Sequence, residues 1–282
     1  MSSPLRSTAT LDDADLERRF GGLRRLYGSV GYERLRAARV AVVGLGGVGS
    51  WAVEALARCG VAQLVLIDLD HVAESNVNRQ VQATGHTLGM SKVQALHERI
   101  HDIHPGCTVL AIEEFVAPDN WPALLPSPVD AVIDACDQVG AKATIAAWAA
   151  AHGVAHVCVG AAGGKRQAQA VEVADLADVT HDPLLASLRQ RLRKEHGASR
   201  QGRIGTACVF SREAVAPPAP DGAIDGERDG SLNCHGYGST VTVTATFGMV
   251  AAGLAIDQLV ATASSREGVT TPLYSRALPT GR

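Results

Sequence analysis

Residues 39–68 read RVAVVGLGGVGSWAVEALARCGVAQLVLID. Arg39–Val43 is a short β-branched run that ends at Gly44, and Val61–Ile67 is a second run that ends at Asp68. Between them, Ser50–Cys59 carries apolar residues at helical spacing. Strand, helix and strand within about 30 residues make a βαβ unit. The link from first strand to helix is Gly44-Leu45-Gly46-Gly47-Val48-Gly49-Ser50. Such a turn brings the backbone close to a phosphate, and the helix start aims its N–H groups at the anion. Asp68 follows Gly49 by 19 residues (68 − 49). At the end of the second strand its carboxylate can accept hydrogen bonds from ribose hydroxyls. Gly44, Gly46, Gly47, Gly49 and Asp68 therefore read as a nucleotide site.

The loop does not by itself choose between NAD and ATP; the residues after it do. Asp68-Leu69-Asp70 runs into Glu74, Asn76, Asn78, Arg79 and Gln80, and Lys92 opens a helix. Amide, guanidinium and ammonium groups at this density suit a triphosphate better than a nicotinamide. Arg79 and Lys92 would neutralise charge that develops as phosphate is transferred. Asp134 ends a later strand, where a carboxylate suits a magnesium ion bridging phosphates. The candidate nucleotide set is thus the four glycines with Asp68, Asp70, Asn76, Arg79, Gln80, Lys92 and Asp134.

The alternation continues beyond the unit. Ser91–His101 reads as a helix, Cys107–Ile112 and Val129–Ile133 as strands, Ala141–His152 as a helix and Val154–Val159 as a strand. Continuous apolar strands alternating with helices predict a doubly wound, Rossmann-like α/β fold with a mostly parallel sheet. After Gly160 the texture changes to a C-terminal α+β extension. Gln167–Val173 alternates like an edge strand, Asp182-Pro183 opens a helix to Glu195, and Ile204–Phe210 is a further strand. The Pro-, Gly- and Asp-rich stretch 214–230 reads as a loop. The expected layout is a tail over 1–18, one domain over 19–262 and a tail over 263–282.

The 282 residues are 46% hydrophobic and 20% charged, enough for a core without disulfide or metal staples. A net charge of −3 excludes a chain-wide basic footprint, so any nucleic acid must meet a local patch. The cysteines at 59, 107, 136, 158, 208 and 234 form no CxxC pair, and no structural zinc is expected. Cys59, Cys107, Cys136 and Cys158 read as buried thiols. The first twenty residues carry Asp12, Asp13, Asp15 and Glu17 and no apolar block, the pattern of a cytoplasmic chain. Val241–Val260 is nearly uncharged and long enough for a membrane attachment. Its threonines and glycines favour a buried helix instead.

The runs GLGGVGSWAVEALARCGV, LVLIDLDHVAESNVNRQ, GMSKV and VIDACD resemble the adenylating proteins related to ubiquitin-activating enzymes and to the molybdopterin- and thiamine-pathway activators. The resemblance spans about residues 20 to 260. In that family a substrate carboxylate attacks the α-phosphate of ATP, giving an acyl-adenylate and pyrophosphate. The resemblance implies that the glycines line the phosphate loop and that Asp68 holds the ribose. It gives Asn76, Arg79 and Lys92 to phosphates and the transition state, Asp134 to Mg2+, and Arg25 to a phosphate.

Other blocks are similar to a tRNA-modifying branch of the family. They are RFGGLRRLYG from Arg19, PDN at Pro118–Asn120, the glycine turn Gly160–Gly164 and DPL at Asp182–Leu184. CVFS at Cys208–Ser211 and VTATFG at Val243–Gly248 complete the set. That branch implies ATP-driven cyclisation of a threonylcarbamoyl group on a tRNA adenosine, a homodimer, and cooperation with a cysteine desulfurase–sulfur acceptor system. Two departures stand out: Gly140 replaces a cation usual in the family, and Cys234 has altered neighbours. Beside His235, Cys234 is a candidate nucleophile or sulfur acceptor. Arg189, Arg191, Arg193, Lys194, Arg200 and Arg203, with Lys165 and Arg166 upstream, are candidate tRNA contacts; a solvated helix face is the alternative. An activator of a ubiquitin-like sulfur-carrier protein and a non-catalytic nucleotide-binding protein stay open as rival functions.

Overall fold

Alternate residues of the first strand point to opposite faces, and both faces are apolar. Val40 and Val42 enter one core, while Ala41 and Val43 enter another. The strands are β1 (Arg39–Val43), β2 (Gln63–Ile67), β3 (Thr108–Ile112), β4 (Ala131–Asp134), β5 (Ala155–Val159), β6 (Val171–Asp175) and β7 (Ala207–Ser211). The helices are α1 (Leu16–Phe20), α2 (Gly22–Ala37), α3 (Gly49–Arg58), α4 (Lys92–Ile103), α5 (Val139–His152), α6 (Pro183–Glu195) and α7 (Val241–Ala261). The computed structural model describes residues 15–217 and 237–261. Cys234, most of the expected 214–230 loop and the expected tail over 263–282 lie outside the described residues.

All seven strands form one sheet in the order β3-β2-β1-β4-β5-β7-β6. The pairs through β7 are parallel, and β6 alone runs antiparallel, at the edge. The expected α+β extension is thus a continuation of the same sheet. The edge strand expected at Gln167–Val173 starts later, at Val171, after a 3-10 turn over Ala168–Ala170. One face is covered by α2, α3, α4 and α7, whose Leu35, Leu56, Leu96 and Phe247 share a core. The other is covered by α5 and α6, through Ile145, Leu185 and Leu188.

Chain order reverses between β1 and β4, and the residues after β1, β2, β4 and β5 emerge at one edge. A doubly wound sheet forms its ligand crevice at that point. Gly44, with φ 83°, turns the chain there. A Cβ on it would stand 2.8 Å from the Cys136 nitrogen, so the β1 and β4 ends can meet only at glycine.

Helix α7 is long and apolar enough to cross a membrane, yet 56% of its most apolar window is buried. It lies across α3 so closely that a Cβ on Gly248 would come within 2.7 Å of the Trp51 Cβ. Burial against α3 explains its composition. Helices α1 and α2 have no counterpart among the expected elements, and α1 starts inside the stretch expected to be a tail. Asp15 caps it by accepting the Arg18 N–H at 2.9 Å.

Candidate active site

The edge where the strands end holds a cleft whose walls include Gly44, Gly46, Gly47, Asp68, Asp70, Asn76, Arg79, Gln80 and Lys92. Val48 gives the start of α3 no side-chain cap, and the Ser50 and Trp51 N–H groups turn back to the carbonyls of Gly46 and Val48, at 3.1 Å each. A Cβ on Gly46 would meet open space, as expected of a backbone exposed to a ligand. Gly49 serves packing instead. A Cβ there would collide with the Gly44 carbonyl, and the residue does not line the cleft. It lets helix approach strand, which corrects its expected place among the ligand contacts.

Asp68 is 7% exposed, and both its oxygens are anchored. Oδ2 accepts the Leu45 N–H at 2.6 Å and Oδ1 accepts the Asp70 N–H at 2.9 Å. Burial pushes its carboxyl above the usual range, against the opposing pull of Lys92 and the two N–H groups. Lys92 Nζ lies 2.6 Å from Asp70 Oδ2 and 3.7 Å from Asp68 Oδ1. Asn76 spends its Oδ1 on the Ala73 N–H at 3.0 Å. Arg79 is held at both ends. Its carbonyl accepts from Trp51 Nε1 at 2.9 Å, and its guanidinium donates to Ser75 O at 2.7 Å and Asn78 Oδ1 at 2.9 Å. Its stem crosses Gly47, where a Cβ would be only 3.2 Å from the Arg79 Cγ.

Asp134 is not on the cleft wall; it is fully buried. Its Oδ1 accepts Lys142 Nζ at 3.1 Å, the Cys136 N–H at 3.3 Å and the Cys136 thiol at 3.0 Å. Burial opposes charge on Lys142, but Asp134 outweighs it and holds the ammonium above the ordinary lysine value. Burial also pushes His156, 4.0 Å from Asp134 Oδ2, down to about 4. The magnesium and catalytic roles expected of Asp134 are therefore corrected: its charge is consumed by Lys142 inside the protein. Asp137 lines the cleft instead, at the start of α5.

Arg25 is exposed on α2 and is not among the residues that line the cleft. The space beside Gly140 is bordered by Arg191, whose Nη1 would be 3.4 Å from a Cβ there. The candidate tRNA patch is only partly free. Arg189 donates inward to Leu176 O and Val179 O, each at 2.9 Å. Arg191 pairs with Glu195, and Arg203 with Asp175. Lys165 is 2% exposed and donates to the carbonyls of His181, Ser211 and Glu213, so it is no surface contact. Arg193 donates through Nε to Ser199 O, while Lys194 and Arg200 stand exposed. Cys158 and Cys208 are buried free thiols, but Cys59, Cys107 and Cys136 are only half-buried.

Several cleft residues escaped the sequence. Glu114 and Phe115 follow β3, Gly160–Gly163 follow β5, and Ser239 and Thr244 come from the start of α7. Gly164 joins chain segments near this wall: it accepts the Ala216 N–H at 2.8 Å and donates to Gly238 O at 2.9 Å. Strand-end position could have flagged Glu114, Phe115 and the glycines. Thr244 lies in the VTATFG run that carries part of the resemblance, but nothing local places it at the cleft.

Comparison with known proteins fits this geometry. The tRNA threonylcarbamoyladenosine dehydratase of Escherichia coli (strain K12) is 40% identical over 258 residues, which cover 89% of this chain and 96% of that protein. The protein of the same name from Haemophilus influenzae is 39% identical, over 86% of this chain and 94% of its own length. A crystal structure of the E. coli protein in complex with ATP superposes with a TM-score of 0.80 at 39% identity, over 90% of this chain and 99% of that one. The sequence model of the ThiF family matches residues 20–277. With a family match over most of the chain and the glycine loop, acid and cations converging on one cleft, the chain belongs to the ThiF family.

Proposed function

We propose that this chain is an ATP-dependent dehydratase acting on tRNA. It adenylates the carboxylate of N6-threonylcarbamoyladenosine and drives cyclisation to the cyclic form. The observation that carries the reading is about 40% identity, along nearly the whole chain, to proteins of that name. The cleft supports it: the glycine loop before α3, a buried acid after β2 and two cations stand on one wall. A sulfur-carrier activator would share the adenylating half but would need a carrier protein in place of tRNA.

The substrate carboxylate attacks the α-phosphorus of ATP, and the bond to the β-phosphate oxygen breaks. Pyrophosphate leaves and an acyl-adenylate remains. A nucleophile within the threonylcarbamoyl group then attacks the acyl carbon, loses its proton, and releases AMP. The oxygen formally lost as water departs on AMP, which is why dehydration can run in water. Asp68 holds the ribose, Arg79 and Lys92 oppose the charge on the phosphates, and the glycine loop at the start of α3 receives them. Magnesium, when bound, would neutralise charge on the triphosphate, and Asp137 would hold it, since Asp70 is paired with Lys92 and both Asp68 oxygens are anchored. The same reading carries a cytoplasmic homodimer and cooperation with a cysteine desulfurase–sulfur acceptor system. Exposed Leu26 and Val30, on either side of the non-helical Gly28 in α2, are apolar surface that a second copy would cover.

The test is mass spectrometry of nucleosides from threonylcarbamoylated tRNA incubated with protein, ATP and magnesium. A dehydrated nucleoside that depends on ATP is expected. Unchanged nucleosides together with pyrophosphate exchange stimulated by a carrier ending in Gly-Gly would move the function to carrier activation.

The tRNA surface has its own test. Changing Arg191, Arg193 and Lys194 together to alanine is expected to lower tRNA affinity and to flatten its salt dependence by about two to three logarithmic units per decade of salt. ATP affinity should stay unchanged. Identical salt slopes before and after would remove α6 from the tRNA interface.

A further inference from the structure

Gln82 is 2% exposed and does not itself line the cleft, yet its amide touches two cleft elements. Its Nε2 donates at 3.0 Å to the Leu45 carbonyl and at 3.0 Å to Gln80 Oε1. Both partners are acceptors, so only the NH2 end of the amide can face them. Its Oε1 has no partner among the described residues. What the fold uses here is the donor end alone.

Leu45 and Gln80 both stand where an anion would be sensitive to dipole direction. The Leu45 peptide lies inside the glycine loop, with its N–H already taken by Asp68 Oδ2 at 2.6 Å. Its carbonyl, if released, would direct partial negative charge into a loop that must receive phosphate. Gln80 lines the cleft, and with Oε1 bound to Gln82 the end left to the ligand is its NH2. We propose that Gln82 is a positioning residue for the phosphates of ATP: it draws one backbone and one side-chain oxygen away from the site, leaving donors facing it. The inference rests on the reading of the cleft as an ATP site.

A residue that merely filled space would support adenosine and ATP alike, whereas one that sets the polarity of the phosphate region would discriminate between them. Binding of ATP and of adenosine to the full-length protein is therefore measured by calorimetry for four forms. Gln82→Leu releases both acceptors and is expected to weaken ATP about tenfold or more while adenosine changes less than about twofold. Gln82→Glu brings acceptors against acceptors and should weaken ATP further. Gln82→His restores one ring N–H donor and is expected to recover most of the ATP affinity. Equal losses for ATP and adenosine, or no loss of ATP, would overturn the inference while leaving the ATP site standing. A wild-type protein that binds adenosine but gains nothing from phosphates would instead overturn the reading beneath it. Should Gln82→Leu not fold, the contrast between Gln82→Glu and Gln82→His decides the same question.

Discussion

Arg79→Ala is expected to lower kcat/KM for the dehydrated nucleoside by about 10³-fold or more, in the range found when a transition-state arginine is removed. The side chain is held by its surroundings before any ligand arrives. Trp51 grips its carbonyl, Ser75 and Asn78 hold the guanidinium, and its stem lies across Gly47. A cation already fixed in place pays no ordering entropy when charge develops on the phosphates. Loss of about 10³ corresponds to about 4 kcal/mol of transition-state stabilisation. Arg79→Lys should recover only part of it, because an ammonium cannot reproduce the planar fork. Single-turnover release of AMP measures the effect directly, and ATP affinity measured alongside should fall much less. A loss under about tenfold would take Arg79 out of the reaction.

The largest effect on stability is expected at the buried pair beneath the cleft. Lys142→Met leaves the Asp134 carboxylate fully enclosed without its cation, at an expected cost of about 3–5 kcal/mol. Asp134→Leu combined with Lys142→Met removes both charges and should recover most of that loss. Urea unfolding of the two variants beside the wild type measures the difference. If the single and double variants unfold together, the pair is not what holds β4 to α5. Because Ala135–Gln138 line the cleft just after Asp134, the single variant should also bind ATP less well.

This pair also shows where the sequence ran out. Asp134 and Asp137 both sit near the end of one strand, and nothing local says which faces ligand. The distinction comes from Lys142, on the first turn of α5, which takes Asp134 for the interior. The βαβ unit with its acid was legible because its signals are local: glycines between strand and helix, and Asp68 at a strand end. The arginine-rich helix was legible as cationic but not as to which arginines are spent at home; Arg189 turns inward to carbonyls after α6 has packed. Thr244 reaches the cleft only because α7 crosses α3 at Gly248, a meeting of segments almost 200 residues apart in sequence. Helix α1 is only five residues long and α2 is broken by the non-helical Gly28, so no continuous periodic face announced them.

Gly164 ties Ala216 and Gly238 to one point beside the cleft. Its φ of 71° suits glycine, and a Cβ there would stand 2.6 Å from Val215 Cγ1. One substitution at this position would therefore loosen two ties at once, next to the stretch of wall that Gly160–Gly163 and Ser239 line.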